Sequence, residues 1–124
     1  MIAIDTSSLI AFFEGERGKD VDKLDQALEQ KQAVIPPIVL TEILSLPELS
    51  LTIREIIFQI PVIELQEGFW LRAGSSRAKV LEKGLKAHLA DILIAQSCID
   101  ERIALITRDA DFQRYVKLCG LQLA

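Results

Sequence analysis

The stretch IALITRDADF, Ile103 to Phe112, places two carboxylates directly behind a run of strand-like apolar residues. Short runs of β-branched and aliphatic residues that end in polar residues are typical of buried strands, so we predict a strand over residues 103–107. Asp109 stands just past its end. The N-terminal stretch MIAIDTSSLI repeats the arrangement, with IAI at residues 2–4 followed by Asp5 and three hydroxyl residues. These two strand candidates, each ending near an acid, guide the interpretation of the rest of the chain.

Short apolar runs alternate with helical patterns along the chain. Further strands are predicted at residues 33–35 and 61–65, with residues 121–123 as a candidate edge strand. Helices are predicted over residues 7–14, 20–32, 37–46, 48–59, 67–83, 88–102 and 109–119. We expect the Gly-Ser-Ser segment at 74–76 to soften the fifth helix. The alternation predicts an α/β fold with a mostly parallel sheet covered on both faces, and such sheets bind ligands outside the carboxyl ends of their strands.

Length and composition bound the class of protein. The chain has 124 residues, half of them hydrophobic, which suits one domain. No apolar run approaches the roughly 20 residues of a membrane-spanning helix, and the N-terminus lacks the basic start of a secretory signal. We therefore expect a cytoplasmic protein with no membrane association. Cys98 and Cys119 lie in apolar, helix-like surroundings and are expected to be reduced core residues.

The charge of the chain is unevenly distributed. The formal net charge of −4 argues against a protein that coats DNA non-specifically. A basic stretch nevertheless runs through residues 72–86, and it contains Arg72, Arg77, Lys79, Lys83 and Lys86 against one acid, Glu82. This stretch is either a solvated helix face or a surface that follows a phosphate backbone, and both interpretations stay open.

Two further acids stand where core residues are expected. In IVLTEILSL, Glu42 shares a helical stripe with Ile38 and Leu46. In LADILIAQSCI, Asp91 lies on a similarly apolar helix. Helix capping or the helix dipole could account for Asp5, Asp91 and Asp109 one at a time, and an arginine could pair with Glu42. Capping explains neither Glu42 nor the supply of two of the four acids by strand ends.

Convergence of the four carboxylates would demand a counter-ion. At separations of about 4–8 Å and an effective dielectric constant near 20, each like-charge pair costs on the order of 2–4 kcal/mol. The six pairs together would cost about as much as the ~5–15 kcal/mol by which a domain is stable. Only protons or a divalent cation could maintain such a cluster. Oxygen ligands without a nearby histidine or cysteine select Mg²⁺ or Mn²⁺, which suits phosphate chemistry.

The ordered set of these segments resembles the PIN domain family, and more closely the VapC-type ribonuclease toxins of bacterial toxin–antitoxin pairs. The matching segments are Asp5-Thr6-Ser7-Ser8-Leu9-Ile10, Glu42 in a helix after a proline, Ala90-Asp91-Ile92-Leu93-Ile94-Ala95, and Thr107-Arg108-Asp109-Ala110-Asp111-Phe112. The resemblance runs nearly end to end. It implies a single PIN-like domain over residues 1–124, with a three-layer α/β/α fold. It also implies an acidic pocket that binds Mg²⁺ or Mn²⁺ and endonucleolytic cleavage of RNA.

The resemblance assigns roles to residues of this chain. The metal-binding and catalytic acids would be Asp5, Glu42, Asp91 and Asp109. The supporting hydroxyls would be Ser7 and Thr107, with Thr6 assisting, and the basic stretch would contact the RNA substrate. Asp111 is expected to face solvent, and no role is carried over to His88. Expected partners are a small cognate antitoxin protein and a second copy of the chain in a homodimer.

Other functions fit the residues less well. A phosphatase with an aspartyl nucleophile would need a second acid at position 7, where Ser7 stands. A phospho-receiver module would bring a lysine from a late strand, and IALIT supplies none. The alternative that stays open is a PIN-like fold that has lost catalysis and serves as a binding scaffold.

Overall fold

Three short parallel strands form the central sheet in the computed structural model, which describes residues 1–124. The strands are β1 (Ile2–Ile4), β2 (Ala33–Val34) and β3 (Ala104–Ile106). β1 lies in the middle, so the order is β2-β1-β3, and Ala3 pairs with Val34 on one side and Leu105 on the other. Because all strands are parallel, their carboxyl ends lie at one edge of the sheet.

Seven α-helices flank the sheet, which confirms the predicted α/β/α fold. They are α1 (Thr6–Phe13), α2 (Lys19–Glu29), α3 (Pro37–Leu44), α4 (Leu51–Phe58), α5 (Phe69–Glu82), α6 (Leu89–Glu101) and α7 (Gln113–Cys119). A single 3₁₀ turn, Ala110–Phe112, precedes α7. Helix α1 packs against α2 and α3, whereas α5 packs against α6 and α7.

Local sequence signals explain several helix boundaries. Pro37 occupies the first turn of α3, where its missing N–H costs no hydrogen bond. The Ser50 side chain accepts a hydrogen bond from the Ile53 backbone N–H and caps α4, so this helix begins at Leu51 rather than at residue 48. Gly120 ends α7 with a φ of +82°, a conformation that favours glycine.

The predicted strand at residues 61–65 is wrong. Only Val62 pairs, through one parallel bridge to Ile35. The physical reason is that β2 is itself only two residues long and Pro61 has no N–H to donate, so a longer ladder has neither partner nor donor. The candidate edge strand at residues 121–123 is likewise reduced to one bridge, between Leu123 and Leu105.

Helix α5 runs unbroken through the segment that was expected to soften it. The Ser76 hydroxyl donates a 2.6 Å hydrogen bond to the Gln96 side chain on α6. Packing against α6 therefore outweighs the low helix propensity of Gly74 and the two serines that follow it.

The core is one continuous cluster of 24 buried residues that joins both faces of the sheet. It includes Ile4 on β1, Leu24 on α2 and Leu105 on β3, each fully buried. Cys98 is buried and Cys119 half-buried, and both are free thiols. None of the helices combines the length and apolar character needed to cross a membrane.

Leu24→Ala tests the core with a matched control. Leu24 is 0% exposed and Leu51 is 76% exposed, so the same truncation meets opposite environments. We expect Leu24→Ala to lower the free energy of unfolding by about 2–5 kcal/mol, and Leu51→Ala to change it by less than about 0.5 kcal/mol. Urea denaturation measures both, and equal effects would contradict the described packing.

Candidate functional site

Asp5 and Thr107 lie side by side at the carboxyl edge of the sheet. The Asp5 backbone N–H donates to the Ile106 carbonyl oxygen at 2.9 Å, which extends the β1–β3 ladder by one residue. Asp5 is only 4% exposed. The sheet therefore places a buried carboxylate beside the residue that follows β3.

Two hydroxyls hold the Asp5 carboxylate. Ser7 Oγ and Thr107 Oγ1 donate to Asp5 Oδ2 at 2.7 and 2.8 Å. Burial raises the pKa of Asp5, while these hydrogen bonds oppose the increase by favouring the charged form. Asp5 stands at the N-cap position of α1 without a capping hydrogen bond of its side chain, although the Thr6 and Ser7 backbone amides also help to lower its pKa.

A third hydroxyl holds Glu42. Thr6 Oγ1, in the first turn of α1, donates to Glu42 Oε1 on α3 at 2.6 Å. Glu42 is half-buried. Consecutive residues of the DTSS segment therefore orient two acids, one from the sheet edge and one from α3.

Asp109 is positioned by its own loop. Its backbone N–H donates to Thr107 Oγ1 at 3.0 Å, and its Oδ1 accepts from the Asp111 backbone N–H at 2.9 Å. Asp109 thus does cap the 3₁₀ turn that begins at Ala110, and capping and a role in the site are compatible because the second carboxylate oxygen accepts no hydrogen bond.

Asp91 is the acid whose pKa is most clearly raised by the other three acids. It lies half-buried in the first turn of α6, and its side chain makes no hydrogen bond. Burial, followed by the negative charges of Asp109, Asp5 and Glu42, raises the pKa of Asp91 to about 6, and His88 offsets part of this. All four sequence-predicted acids therefore act on one region of the surface.

The negative charges of the acidic region also affect the pKa of Tyr115 on α7. Its ring is buried on α7 and packs edge-on against Phe112 with ring centroids 5.5 Å apart. Burial, together with the charges of Asp91 and its acidic neighbours, raises the pKa of Tyr115 to about 12. No local motif in the sequence distinguishes Tyr115.

No basic side chain forms a salt bridge with the four acids. Arg114 donates to Asp111 Oδ1 at 3.2 Å and to the Lys86 carbonyl oxygen. Arg108 points instead toward Asp20 and Glu16. The acidic region is therefore not neutralised from within the chain.

The donors fit a hard divalent cation by their chemistry, but their arrangement is not that of a preformed ligand cage. No three His, Cys, Asp or Glu side chains are grouped closely enough to hold an ion, and none of the surface cavities is lined by any of the four acids. The four acids can influence one another's pKa without lying close enough to ligate one ion. Charges interact over a longer distance than the 2.0–2.6 Å bonds that these ions make to their ligands. Asp91 is the one of the four acids whose side chain makes no hydrogen bond within the chain.

Of the five basic residues predicted to contact RNA, the two arginines are hydrogen-bonded within the chain and the three lysines are exposed. Arg72 makes two hydrogen bonds to the Asp100 carboxylate, at 3.0 and 2.8 Å, and Arg77 Nε donates to the Ala87 carbonyl oxygen at 2.8 Å. Arg72 therefore joins α5 to the end of α6, and Arg77 joins α5 to the loop that precedes α6. The lysines of this stretch are exposed and form no salt bridge; they are Lys79, Lys83 and Lys86.

Two further titratable residues, Asp111 and His88, lie at the rim of the acidic region. Asp111 has a side chain that is 49% exposed and paired with Arg114, consistent with the expected outward orientation. His88 is exposed at the N-cap position of α6.

Sequence reasoning missed one network beside the site. Arg108 Nε donates to Asp20 Oδ2 at 2.8 Å, and the fully buried Ser8 donates to the same oxygen at 2.8 Å. Arg108 and Ser8 both stand inside segments that had been singled out. Asp20 lies among several acids of an amphipathic helix, where nothing in the sequence distinguishes it.

Comparisons with solved structures support the same fold. The chain is similar to VapBC2 from Rickettsia felis bound to a DNA fragment from its promoter, with 21% identity, a TM-score of 0.76 and coverage of 100% of this chain and 98% of the other. It is also similar to VapBC-1 from nontypeable Haemophilus influenzae, with 21% identity, a TM-score of 0.75 and coverage of 100% and 97%. A toxin–antitoxin complex from Klebsiella pneumoniae matches with 21% identity, a TM-score of 0.71 and coverage of 98% and 95%.

Sequence comparison gives the family. A search of curated proteins found no match. The family model of the PIN domain, in contrast, matches residues 2–118, a span that contains all four acids and all three strands. The chain therefore belongs to the PIN domain family.

Proposed function

We propose that this chain is a divalent-metal-dependent endoribonuclease that hydrolyses RNA phosphodiester bonds, and that it is the toxin of a toxin–antitoxin pair. The observation that carries the proposal is a group of mutually repelling carboxylates at the carboxyl edge of a parallel sheet, with which no lysine or arginine side chain forms a salt bridge. Membership of the PIN domain family and the structural similarity to VapBC complexes support it.

Asp5, Asp91 and Asp109 would hold Mg²⁺ or Mn²⁺, with Glu42 assisting directly or through water. A bound ion would neutralise charge on the phosphoryl oxygens and lower the pKa of an attacking water. Ser7 and Thr107 fix the Asp5 carboxylate as hydrogen-bond donors. We therefore assign these hydroxyls to support rather than to nucleophilic attack.

RNA would reach the acids along the basic stretch. The exposed lysines Lys79, Lys83 and Lys86 are the side chains available to phosphates, and they lie on α5 and in the loop that leads to α6 and Asp91. Arg72 and Arg77, although predicted as contacts, would have to leave Asp100 and the Ala87 carbonyl oxygen first. Lysine contacts to phosphates carry no sequence information, so they favour binding without selecting a sequence.

A small antitoxin is the proposed protein partner. An apolar groove of about 400 Å³ lies between α1, α3 and α4, and Glu14 and Glu48 line it as well. Its apolar lining consists of Ile10, Phe13, Ile43, Leu46, Leu49 and Ile53. Homodimer formation is a further proposal, for which the exposed Trp70 and Leu71 on α5 offer apolar surface.

One observation favours a second candidate function, a PIN fold that binds without cleaving. The acids are not preformed into a ligand cage. A nuclease assay in Mg²⁺ with an EDTA control separates the two candidates, because a scaffold would cleave in neither condition.

Asp5→Asn tests the catalytic assignment. The substitution keeps the shape of the side chain but removes the buried charge that the hydroxyls orient, so we expect Mg²⁺-dependent cleavage of total RNA to fall by at least about a hundredfold. The control is Asp25→Asn on the exposed face of α2, which should leave cleavage unchanged. Full activity of Asp5→Asn, or cleavage by the wild type that survives EDTA, would contradict the proposal.

Asp91→Asn tests the repulsion directly in metal-free protein. The pKa of Asp91 is about 6 in the folded state and near 3.8 when unfolded, so the folded state binds more protons between these values and stability falls as pH rises through this window. Above pH 6 the destabilisation is complete. Because solvent screens a half-buried group, we expect Asp91→Asn to stabilise the protein by about 1 kcal/mol at pH 7.5.

The difference between Asp91→Asn and wild type should shrink toward pH 4, because Asp91 is then protonated in the folded state and its repulsion by the other acids is lost. Urea denaturation in EDTA at the two pH values measures it. A variant less stable than wild type at pH 7.5 would show that Asp91 is not repelled by its neighbours.

A further inference from the structure

Arg108 connects the loop after β3 to the segment after α1 and to the start of α2 through four hydrogen bonds. Its guanidinium contacts Asp20 Oδ2 at 2.8 Å and Asp20 Oδ1 at 3.1 Å, in a two-pronged pair. It also donates to Glu16 Oε2 at 3.3 Å and to the Arg17 carbonyl oxygen at 3.2 Å. The side chain is 30% exposed and that of Asp20 only 11%, so the pair is partly shielded from solvent.

The neighbours of Arg108 are residues of the acidic site. Thr107 Oγ1 donates to Asp5 and accepts from the Asp109 backbone N–H. The Arg108 backbone N–H lies 3.4 Å from Ser7 Oγ, which itself donates to Asp5. Anchoring the Arg108 side chain therefore fixes the backbone segment that orients Asp5 and Asp109.

The surroundings of Asp20 hold its carboxylate in place and leave room for the Arg108 guanidinium. Ser8, fully buried on α1, donates to Asp20 Oδ2 at 2.8 Å and holds the carboxylate in place. At Gly18, an added Cβ would lie 2.5 Å from Asp20 Oδ1 and 3.0 Å from Arg108 Nη2, so the absence of a side chain there permits the close approach. The hydrogen bond from Arg108 also lowers the pKa of Asp20 to about 2, as expected for a carboxylate held in an ion pair.

We propose that Arg108 and Asp20 are positioning residues that hold the Thr107–Asp109 segment in register with Asp5, so that the acids can share one metal ion. The inference rests on the proposed function. Neither side chain hydrogen-bonds any of the four acids. Each acts through the backbone amides and hydroxyls that orient the acids, in the way that outer partners orient metal ligands.

A purely stabilising salt bridge is the competing explanation, and the chain contains a matched control. Arg72 makes a similar two-pronged pair with Asp100, at 3.0 and 2.8 Å, and it joins α5 to α6 away from the loop after β3. The arginine lowers the pKa of Asp100 as well. Asp20→Asn and Asp100→Asn therefore remove the same kind of interaction, and only the first is attached to the acidic site.

The experiment compares Asp20→Asn, Asp100→Asn, Arg108→Lys and wild type. Isothermal titration with Mg²⁺ measures affinity, RNA cleavage gives kcat and KM, thermal unfolding gives Tm, and hydrogen exchange of the metal-free protein follows the Arg108 and Asp109 amides. We expect both Asp→Asn variants to lower Tm. Only Asp20→Asn should weaken Mg²⁺ binding by about tenfold and lower kcat at little-changed KM.

Hydrogen exchange gives a readout that does not depend on activity. The Arg108 and Asp109 amides should exchange faster in Asp20→Asn and at the wild-type rate in Asp100→Asn. Arg108→Lys, which keeps the charge but loses the two-pronged geometry, should lie between Asp20→Asn and wild type in exchange and in Mg²⁺ affinity.

Equal exchange and equal Mg²⁺ affinity in the two Asp→Asn variants would overturn the positioning role while leaving the nuclease proposal intact. If instead wild type neither binds Mg²⁺ nor cleaves RNA, the proposed function fails. The exchange rates then still decide whether Arg108 and Asp20 hold the segment, although no shared ion would exist for them to support.

Discussion

Repulsion among four carboxylates is the constraint on which the rest of the site depends. Asp91 shows this repulsion most clearly: burial raises its pKa most, the charges of Asp109, Asp5 and Glu42 raise it further, and no basic side chain forms a salt bridge with it. A protein does not maintain such a group without a compensating interaction. The hydroxyls of Thr6, Ser7 and Thr107 supply donors but no positive charge, so they orient the acids and leave the repulsion in place.

The parallel sheet determines which residues meet. β1 and β3 are each three residues long, and the ladder continues for one further hydrogen bond, from the Asp5 amide to Ile106. That bond places the start of α1 beside the loop after β3, so hydroxyls and acids more than a hundred residues apart share one edge. Helices α3 and α6 bring Glu42 and Asp91 from outside the sheet, and they pack against each other.

The sequence was sufficient for the fold class and for naming four acids that the structure brings into one region, because those signals are local. Strand-like runs that end near Asp5 and Asp109, and Pro37 at a helix start, depend on neighbouring residues alone. The strand predicted at residues 61–65 failed because its length depends on β2, a partner far along the chain. The Arg108–Asp20 pair was missed for the same reason, since Asp20 is one of several helix acids and only the fold selects it. Arg72 shows the reverse case, a basic residue that looked available for RNA until the structure paired it with Asp100.

Crystals grown with Mn²⁺ provide the most direct test of the account, since anomalous scattering locates this ion without ambiguity. The account predicts one or two Mn²⁺ peaks within ligand distance of Asp5 and at least one of Asp91 and Asp109, with Asp91 turned toward them. Soaked crystals without Mn²⁺ density at this edge of the sheet, at ion concentrations that saturate known carboxylate sites, would contradict it. Mn²⁺ bound only elsewhere on the chain would contradict it equally.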